Sequence, residues 1–404
     1  MAISKKKIKY LFLFFPIINI YFYNQPLIKS IRILYLILIF TYLFLGITVS
    51  LIKGKKKLTF ISCIVLLFIF VQSISTYLNN RDLISYWGSC LVVLISIFIL
   101  EQCPKEEFYY MLDAICSLCL IYLFINALLI LVNPQGFLTI TNGFGWSDHI
   151  YFLGQTYNYY LLILLAYFLS FIMAHLYHKK LYIKMANVLL VLYIFYGIFM
   201  FDDRDMTSVV VLMLILVFYY LDRIHVLNKL RINSYVVMGI SIVIYFTVTV
   251  TNSLLNSSIV SFIVENILHK SITFSGRTYI WTITMSNILK SPVWGYGVGA
   301  MVTRYTNSVL ISEHNQILHI LVEGGIISLS VFLLLIVTYC HNLIKINDQN
   351  LNNFSIVIFV LFMLTFLFYS YGMASCWSFY FFLVLCGHLI KMKSQDFVRK
   401  GTDN

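Results

Sequence analysis

The sequence predicts an all-α, polytopic helical membrane protein of about twelve transmembrane helices. Three observations predict it. Hydrophobic residues make up 61% of the 404 residues and charged residues only 11%, where soluble domains carry about a quarter. The mean hydropathy is +0.89. The apolar residues fall in runs close to the roughly 20 residues that cross a bilayer, with the charges between them. This composition excludes a soluble enzyme on a tether, a secreted disulfide scaffold and a disordered regulator. Residues 1–404 read as a single integral membrane domain.

The first span, Tyr10–Tyr23, is short, contains Pro16 and follows Lys5, Lys6, Lys7 and Lys9. These lysines resemble a signal-peptide n-region. No small-x-small cleavage site follows, so the segment reads as a retained helix. Ile31–Ile52, Leu58–Leu78, Leu83–Leu100, Phe108–Val132 and Ile150–Tyr177 follow as apolar runs separated by short polar connections. Tyr182–Phe201, Ser208–Leu221 and Ser234–Thr251 complete the first nine. After a long polar gap come Gln316–Cys340, Phe354–Met373 and Ser375–Ile390, the last two joined by a turn around Gly372.

Charge fixes the expected orientation. With a cytoplasmic N-terminus, about 20 of the 28 Lys and Arg residues lie on the inner face, as the positive-inside rule requires. The acids divide evenly between the faces, and the C-terminus is also cytoplasmic. The formal net charge of +12 is therefore a topology signal and not a nucleic-acid footprint. None of the eight cysteines falls in an expected outer loop, so no disulfide framework is expected. Cys116-x-x-Cys119 lies inside the fifth span and reads as small packing residues.

Two outer connections are longer than the rest. Asn133–His149 carries Gly136, Gly143, Phe144, Gly145 and Trp146. Residues 252–315 form the one long extracytoplasmic loop, and long loops are commonly functional. Within it, Val260, Ile263, Val264, Ile267 and Leu268 have helical spacing and suit a helix on the interface. Ser275-Gly276-Arg277 opens a second helix, roughly Thr278–Leu289, which Ser291-Pro292 ends. Trp294-Gly295-Tyr296-Gly297-Val298-Gly299 reads as a tight turn. It lacks the preceding strand and the lysine of a nucleotide-binding loop. Glu313-His314-Asn315 leads into the tenth span, which carries His319 and Glu323 four residues apart on one face.

The ordered set Ser275-Gly276-Arg277, Trp281, Pro292, Gly295-x-Gly297-x-Gly299, His314-Asn315 and Leu321-x-Glu323-x-Gly325-Ile326 resembles the signature region of the O-antigen ligase and polymerase superfamily. These are the Wzy/WaaL-like membrane glycosyltransferases. The resemblance covers Ser275–Ile327 directly and the rest through the span layout. It implies a GT-C-like fold in the bacterial cytoplasmic (inner) membrane, with glycan transferred from undecaprenyl pyrophosphate. It implies no cofactor and no required metal. The implied partners are an undecaprenyl-pyrophosphate-linked oligosaccharide, membrane lipid, and a chain-length regulator and flippase of the same pathway. No nucleic acid is expected.

The resemblance also implies arginines on the pyrophosphate and a histidine near the acceptor, positions that Arg277 and His314 match. Arg204, in Asp202-Asp203-Arg204-Asp205, stands where a second family arginine sits, though Asp203 replaces a small polar residue. The chemistry suits these residue types. Arginine offers phosphate a planar, permanently charged fork, and histidine can take or orient the acceptor hydroxyl proton near neutral pH. Each also has a plainer role: an external salt bridge or lipid headgroup contact for Arg277, neutralisation by three flanking acids for Arg204, a helix cap for His314. Arg304 and Arg81 are further candidates for the anion. His319 and Glu323 can bond each other, for packing or for catalysis, and His149 is a candidate in the smaller loop. Asp203-x-Asp205 matches a metal-binding pair, but it clasps an arginine that would repel a cation.

Three functions compete. The first is a polymerase of lipid-linked repeat units for O-antigen or capsule, inverting and metal-independent. The second is a ligase moving glycan to lipid A core or another surface acceptor. The third is a flippase or transporter, which would place ionisable groups at mid-membrane, where this sequence has almost none.

Overall fold

A computed structural model describes residues 4–54, 58–141, 147–199, 206–224, 232–250, 277–305 and 309–391. The expected helix at 260–268, Ser275-Gly276, Arg204 with its flanking acids, and residues 143–146 lie outside the described residues.

The chain is nearly all helical. Its first helices are α1 (Lys5–Phe14), α2 (Pro26–Ile52), α3 (Phe60–Leu78), α4 (Leu83–Gln102) and α5 (Phe108–Val132). The first span differs from expectation: α1 stops at Phe14, two residues before Pro16. Proline disfavours helical geometry in the residue before it and clashes with the turn below. α2 starts on Pro26, where a missing N–H costs nothing. α3 and α4 are capped by Thr59 and Asp82, whose side chains accept from Ser62 N and Ser85 N.

After α5 come three short strands, β1 (Leu138–Thr141), β2 (Ser147–Tyr151) and β3 (Gly154–Gln155), in one antiparallel sheet. They are followed by α6 (Thr156–Leu176), α7 (Lys180–Phe199), α8 (Met206–Arg223), α9 (Ser234–Val250) and α10 (Arg277–Ile288). The hairpin of β4 (Thr303–Tyr305) and β5 (Val309–Ile311) leads to α11 (Gln316–Leu343), α12 (Gln349–Phe368) and α13 (Trp377–Lys391). Among the described residues, eight helical segments are long and apolar enough to cross a membrane, and α9 and α13 are shorter apolar helices.

Polar contacts sort the helix ends into two faces. On one face, Lys7 and Lys9 of α1 pair with Asp113 at 2.7 Å and Glu107 at 3.0 Å. On the same face, Glu101 at the end of α4 accepts from Thr59 and Ser62 at the start of α3. His175 ends α6 2.8 Å from Asp348, the cap of α12. This face carries the basic connections. On the opposite face, Ser75 ends α3 against Glu323 of α11, and Asn315 meets Leu367 at the end of α12.

The interior is aromatic. Phe354 stacks on Phe171 with ring centroids 3.9 Å apart, and Phe168 meets Phe382 edge-on at 4.8 Å. In a bilayer such packing stabilises through dispersion more than through water release. α2 is the exception, with most of its surface exposed and only Leu36, Ile39, Leu43 and Ile47 buried.

Candidate functional site

The site is built on the face opposite the basic connections. Its base is α10. Trp281, 1% exposed, anchors the helix in a small cluster with Ile280, Ala300, Leu318 and Val322. The Trp281 indole N–H donates to the Glu313 carbonyl at 3.0 Å, and Thr284 ties α10 to Thr303 of the hairpin at 2.7 Å. Arg277 is the first residue of α10. Its guanidinium lies 5.6 Å from the Phe368 ring centre and 5.5 Å from that of Tyr369. A guanidinium over ring faces can still offer its in-plane N–H fork to an anion. Among the described residues, no carboxylate forms an ion pair with it.

The glycine-rich turn packs under α11. Tyr296 N and Gly297 N donate to the carbonyls of Val322 and Glu323 at 2.7 and 3.0 Å, groups freed because α11 breaks at Gly325 (φ 62, ψ −164). A side chain at Gly325 would run into the Val293 carbonyl, and one at Gly295 into the Val322 carbonyl. Both positions therefore need glycine for a close backbone approach as well as for positive φ. Ser75 Oγ donates to the Glu323 carbonyl at 2.6 Å and also bonds the Trp294 carbonyl. Arg81 Nε donates to the Tyr296 carbonyl at 3.2 Å, so Arg81 holds the turn from below.

The segment entering α11 is fixed by Asn315. Its Oδ1 caps Leu318 N at 3.1 Å and accepts from the Tyr245 hydroxyl of α9 at 2.6 Å. His314, just before the cap, has a left-handed backbone (φ 48), a strained region for most side chains and one in which His is enriched. Burial, followed by the nearby Arg277 charge, pushes its imidazole down to about 4, against a smaller upward pull from Glu313. At neutral pH His314 is therefore an uncharged ring able to accept a proton, beside a permanent cation.

His319 and Glu323 do bond each other, and a third residue joins them. His319 Nε2 is 3.3 Å from Glu323 Oε1, while Nδ1 is 2.9 Å from Glu313 Oε2. Glu323 Oε1 also accepts the Gly299 N–H at 2.9 Å. The three side chains thus clasp the His314 segment, α11 and the turn together. Glu313 is 1% exposed, and its Oε1 makes no hydrogen bond among the described residues. Glu313 is adjacent to His314 in sequence.

The other candidates are placed elsewhere. Arg304 pairs with Leu310 across the hairpin, and its side chain lies outside the described residues. His149 is in β2, where its Nδ1 is 2.9 Å from the Gln135 carbonyl and 3.1 Å from Thr139 Oγ1. That sheet packs on α5 and α6, a packing neighbourhood separate from that of α10 and α11.

Glu313, Tyr245, Phe368 and Tyr369 are the contributors that sequence reasoning missed. Glu313 alone had a signal, its place beside His314.

Residues 189–333 match a protein-family model described as O-antigen ligase. The match starts in α7, ends in α11, and includes Arg204, Arg277, Arg304, His314, His319 and Glu323, but neither His149 nor Arg81. No curated protein matches the chain.

Proposed function

We propose, for a chain whose residues 189–333 match a family model described as O-antigen ligase, the function of a polymerase of lipid-linked repeat units. The enzyme moves glycan from undecaprenyl pyrophosphate to the terminal sugar hydroxyl of a second lipid-linked unit, for O-antigen or capsule. The observation that carries this reading is Arg277, set over the rings of Phe368 and Tyr369 with no carboxylate in ion-pair range among the described residues, near His314, an imidazole kept neutral by burial and by that charge.

In the proposed step, the bond between the sugar anomeric carbon and the pyrophosphate oxygen breaks. Its electron pair goes to the leaving pyrophosphate, whose growing charge Arg277 and Arg204 meet. The acceptor oxygen bonds the anomeric carbon from the opposite side, inverting it. The hydroxyl proton passes to His314. Pyrophosphate charge on Arg277 offsets the guanidinium and so strengthens His314 as a base when substrate is bound. Glu313, His319 and Glu323 position the segment. Since the arginines meet the phosphate charge, the reaction needs no divalent ion. The site face is outside the cytoplasmic membrane and both termini are cytoplasmic.

A second reading, ligation of glycan to lipid A core, draws on the description of the matched family. It shares the donor chemistry. Reconstitution with a defined lipid-linked unit tests all three readings. A ladder of lengthened lipid-linked glycans supports the polymerase. Product only when lipid A core is added supports the ligase. Movement of the unit across the bilayer without lengthening supports a transporter.

A further inference from the structure

A cavity of about 520 Å³ lies apart from the Arg277 site, between α2, α4, α6 and the start of α13. α2 contributes Lys29, Arg32, Ile33 and Leu36, and α4 contributes Ser85, Gly88, Ser89 and Val92. Both sets have the i, i+3, i+4, i+7 spacing of one helix face. Within each set the first positions are polar or small and the later ones are apolar, with Ile84 the one apolar lining residue of α4 at the cationic end. The cavity is therefore cationic at one end and greasy at the other.

The cationic end is on the same face as the Arg277 site. Arg81, just before α4, bonds the Tyr296 carbonyl. The α12–α13 connection runs from Tyr369, under Arg277, to Ala374 and Ser375 in the cavity wall. Tyr371 N midway is bonded to Gln316 Oε1 of α11 at 2.7 Å.

Among the described residues, the positive charge there has no ion-pair partner. Arg32 stacks on Tyr23 at 4.5 Å and donates to two neutral oxygens, Pro16 O at 2.9 Å and Asn19 Oδ1 at 2.8 Å. Among the described residues, no carboxylate pairs with Lys29 or Arg32. Asp82, at the same end, caps Ser85 N through Oδ1 at 3.0 Å and forms no ion pair with Lys29 or Arg32 among the described residues. Cations at the edge of a bilayer call for a partner. Two of them match a phosphomonoester or pyrophosphate better than the single charge of a phosphodiester lipid.

We infer that this cavity seats the phosphate head of a second lipid, a polyprenyl phosphate or pyrophosphate, with Lys29 and Arg32 on the phosphate and the first prenyl units against Ile33, Leu36 and Val92. Resting on the polymerase reading, it is the seat of the accepting unit, since a reaction between two lipid-borne glycans needs two lipid heads held near one centre.

Two variants probe the seat without touching the Arg277 site. Lys29→Glu reverses an exposed charge. Gly88→Leu fills the cavity from a position where an added carbon meets nothing within 4 Å, and leucine favours helix over glycine. The probe is undecaprenyl pyrophosphate, counted on the purified full chain by native mass spectrometry. Wild type is expected to hold two lipids, Lys29→Glu and Gly88→Leu one, and the double change Lys29→Glu/Arg277→Ala none. Both single variants should melt like wild type. In chain extension, Lys29→Glu should raise KM for the accepting unit about tenfold or more while binding of the donor to the Arg277 site is kept. Two lipids retained by both variants would overturn the seat. Displacement of the second lipid by equimolar phosphatidylglycerol would overturn its assignment to a prenyl carrier. Loss of lipid at Lys29 but not at Arg277 would leave the seat standing and sink the proposed catalytic site instead.

Discussion

The His319 imidazole stands 2.9 Å from the Glu313 carboxylate through Nδ1 and 3.3 Å from Glu323 through Nε2. One ring thereby spans the residue before His314 and the middle of the first turns of α11. Removing it leaves two buried carboxylates without their shared partner. Breaking a buried pair from one side costs about 3–5 kcal/mol. His319→Ala is therefore expected to melt well below wild type and to lose chain extension. Glu313→Gln, which can still accept from the ring, should lose far less stability. Equal melting temperatures for His319→Ala and wild type would show that the clasp does not hold the segment.

The pH dependence follows from the depressed His314 imidazole. In the free protein it takes a proton near pH 4, because of burial and then Arg277. The acidic limb of kcat/KM, which reports the free enzyme, is expected there. A bound pyrophosphate cancels part of the Arg277 charge, so the limb of kcat should move upward, by about one pH unit or more. The stability sign agrees with this depression: as pH falls from about 6.5 toward about 4, the unfolded chain takes the proton first, and stability is lost across that window. Overlapping limbs for kcat and kcat/KM would separate Arg277 from His314 in function.

Much of this was readable in the sequence, and the limits have physical causes. The helix expected at Thr278–Leu289 is α10, Arg277–Ile288, because Arg277 follows a Gly and Pro292 must end it. The Gly-x-Gly-x-Gly run is a turn with three positive-φ glycines. The His319–Glu323 pair was visible from its i, i+4 spacing. The partnership with Glu313 was not, because it spans the non-helical stretch before α11 and has no periodicity. The break at Gly325 was hidden because Leu321–Ile327 reads as continuous helix, and only the carbonyls taken by the turn explain it. The aromatic shelf of Phe368 and Tyr369 depends on tertiary packing of α12. The strands in the two outer connections are too short for an alternation signal.

Gly325→Ala tests the junction of turn and helix. An alanine methyl would meet the Val293 carbonyl at a φ of 62, so both strain and collision oppose it. The expected result is a protein that inserts but melts markedly lower and extends chains poorly. Gly372→Ala, where an added carbon meets nothing within 4 Å, should behave like wild type.

Arg277→Lys should be much worse than a conservative exchange. Lysine keeps the charge but loses both the planar fork and the stacking on Phe368 and Tyr369. Arg277→Ala should abolish polymer while protein still accumulates in the membrane. Near-normal polymer length in Arg277→Lys would indicate that only a point charge is needed.

Orientation is tested with an impermeant thiol reagent on intact cells. Cysteine at Lys290, exposed on the site face beyond α10, should label from outside. Cysteine at Lys53, exposed at the end of α2, should label only after permeabilisation. The reverse pattern would put the Arg277 site in the cytoplasm and remove the lipid-linked donor from its reach.

The last prediction concerns His314 itself. Its left-handed backbone and the Asn315 cap fix where the ring can go, and its neutral state is compatible with the proposed role of proton acceptor near Arg277. His314→Ala removes the acceptor but leaves Arg277 stacked on its rings, so donor binding should persist while chain extension falls by roughly a hundredfold or more, the loss typical of a general base. It also relieves the burial of an imidazole, so the variant need not be less stable. His314→Gln separates two roles. Glutamine can orient a hydroxyl but cannot take its proton, so it should recover little if transfer matters and more if orientation suffices. Purified protein with a defined lipid-linked unit, scored for both donor affinity and extension, decides the matter. An Ala variant extending within about threefold of wild type, far short of that general-base loss, would reduce His314 to a structural lead-in to α11 and move the acceptor proton to Glu313, whose buried Oε1 makes no other hydrogen bond among the described residues.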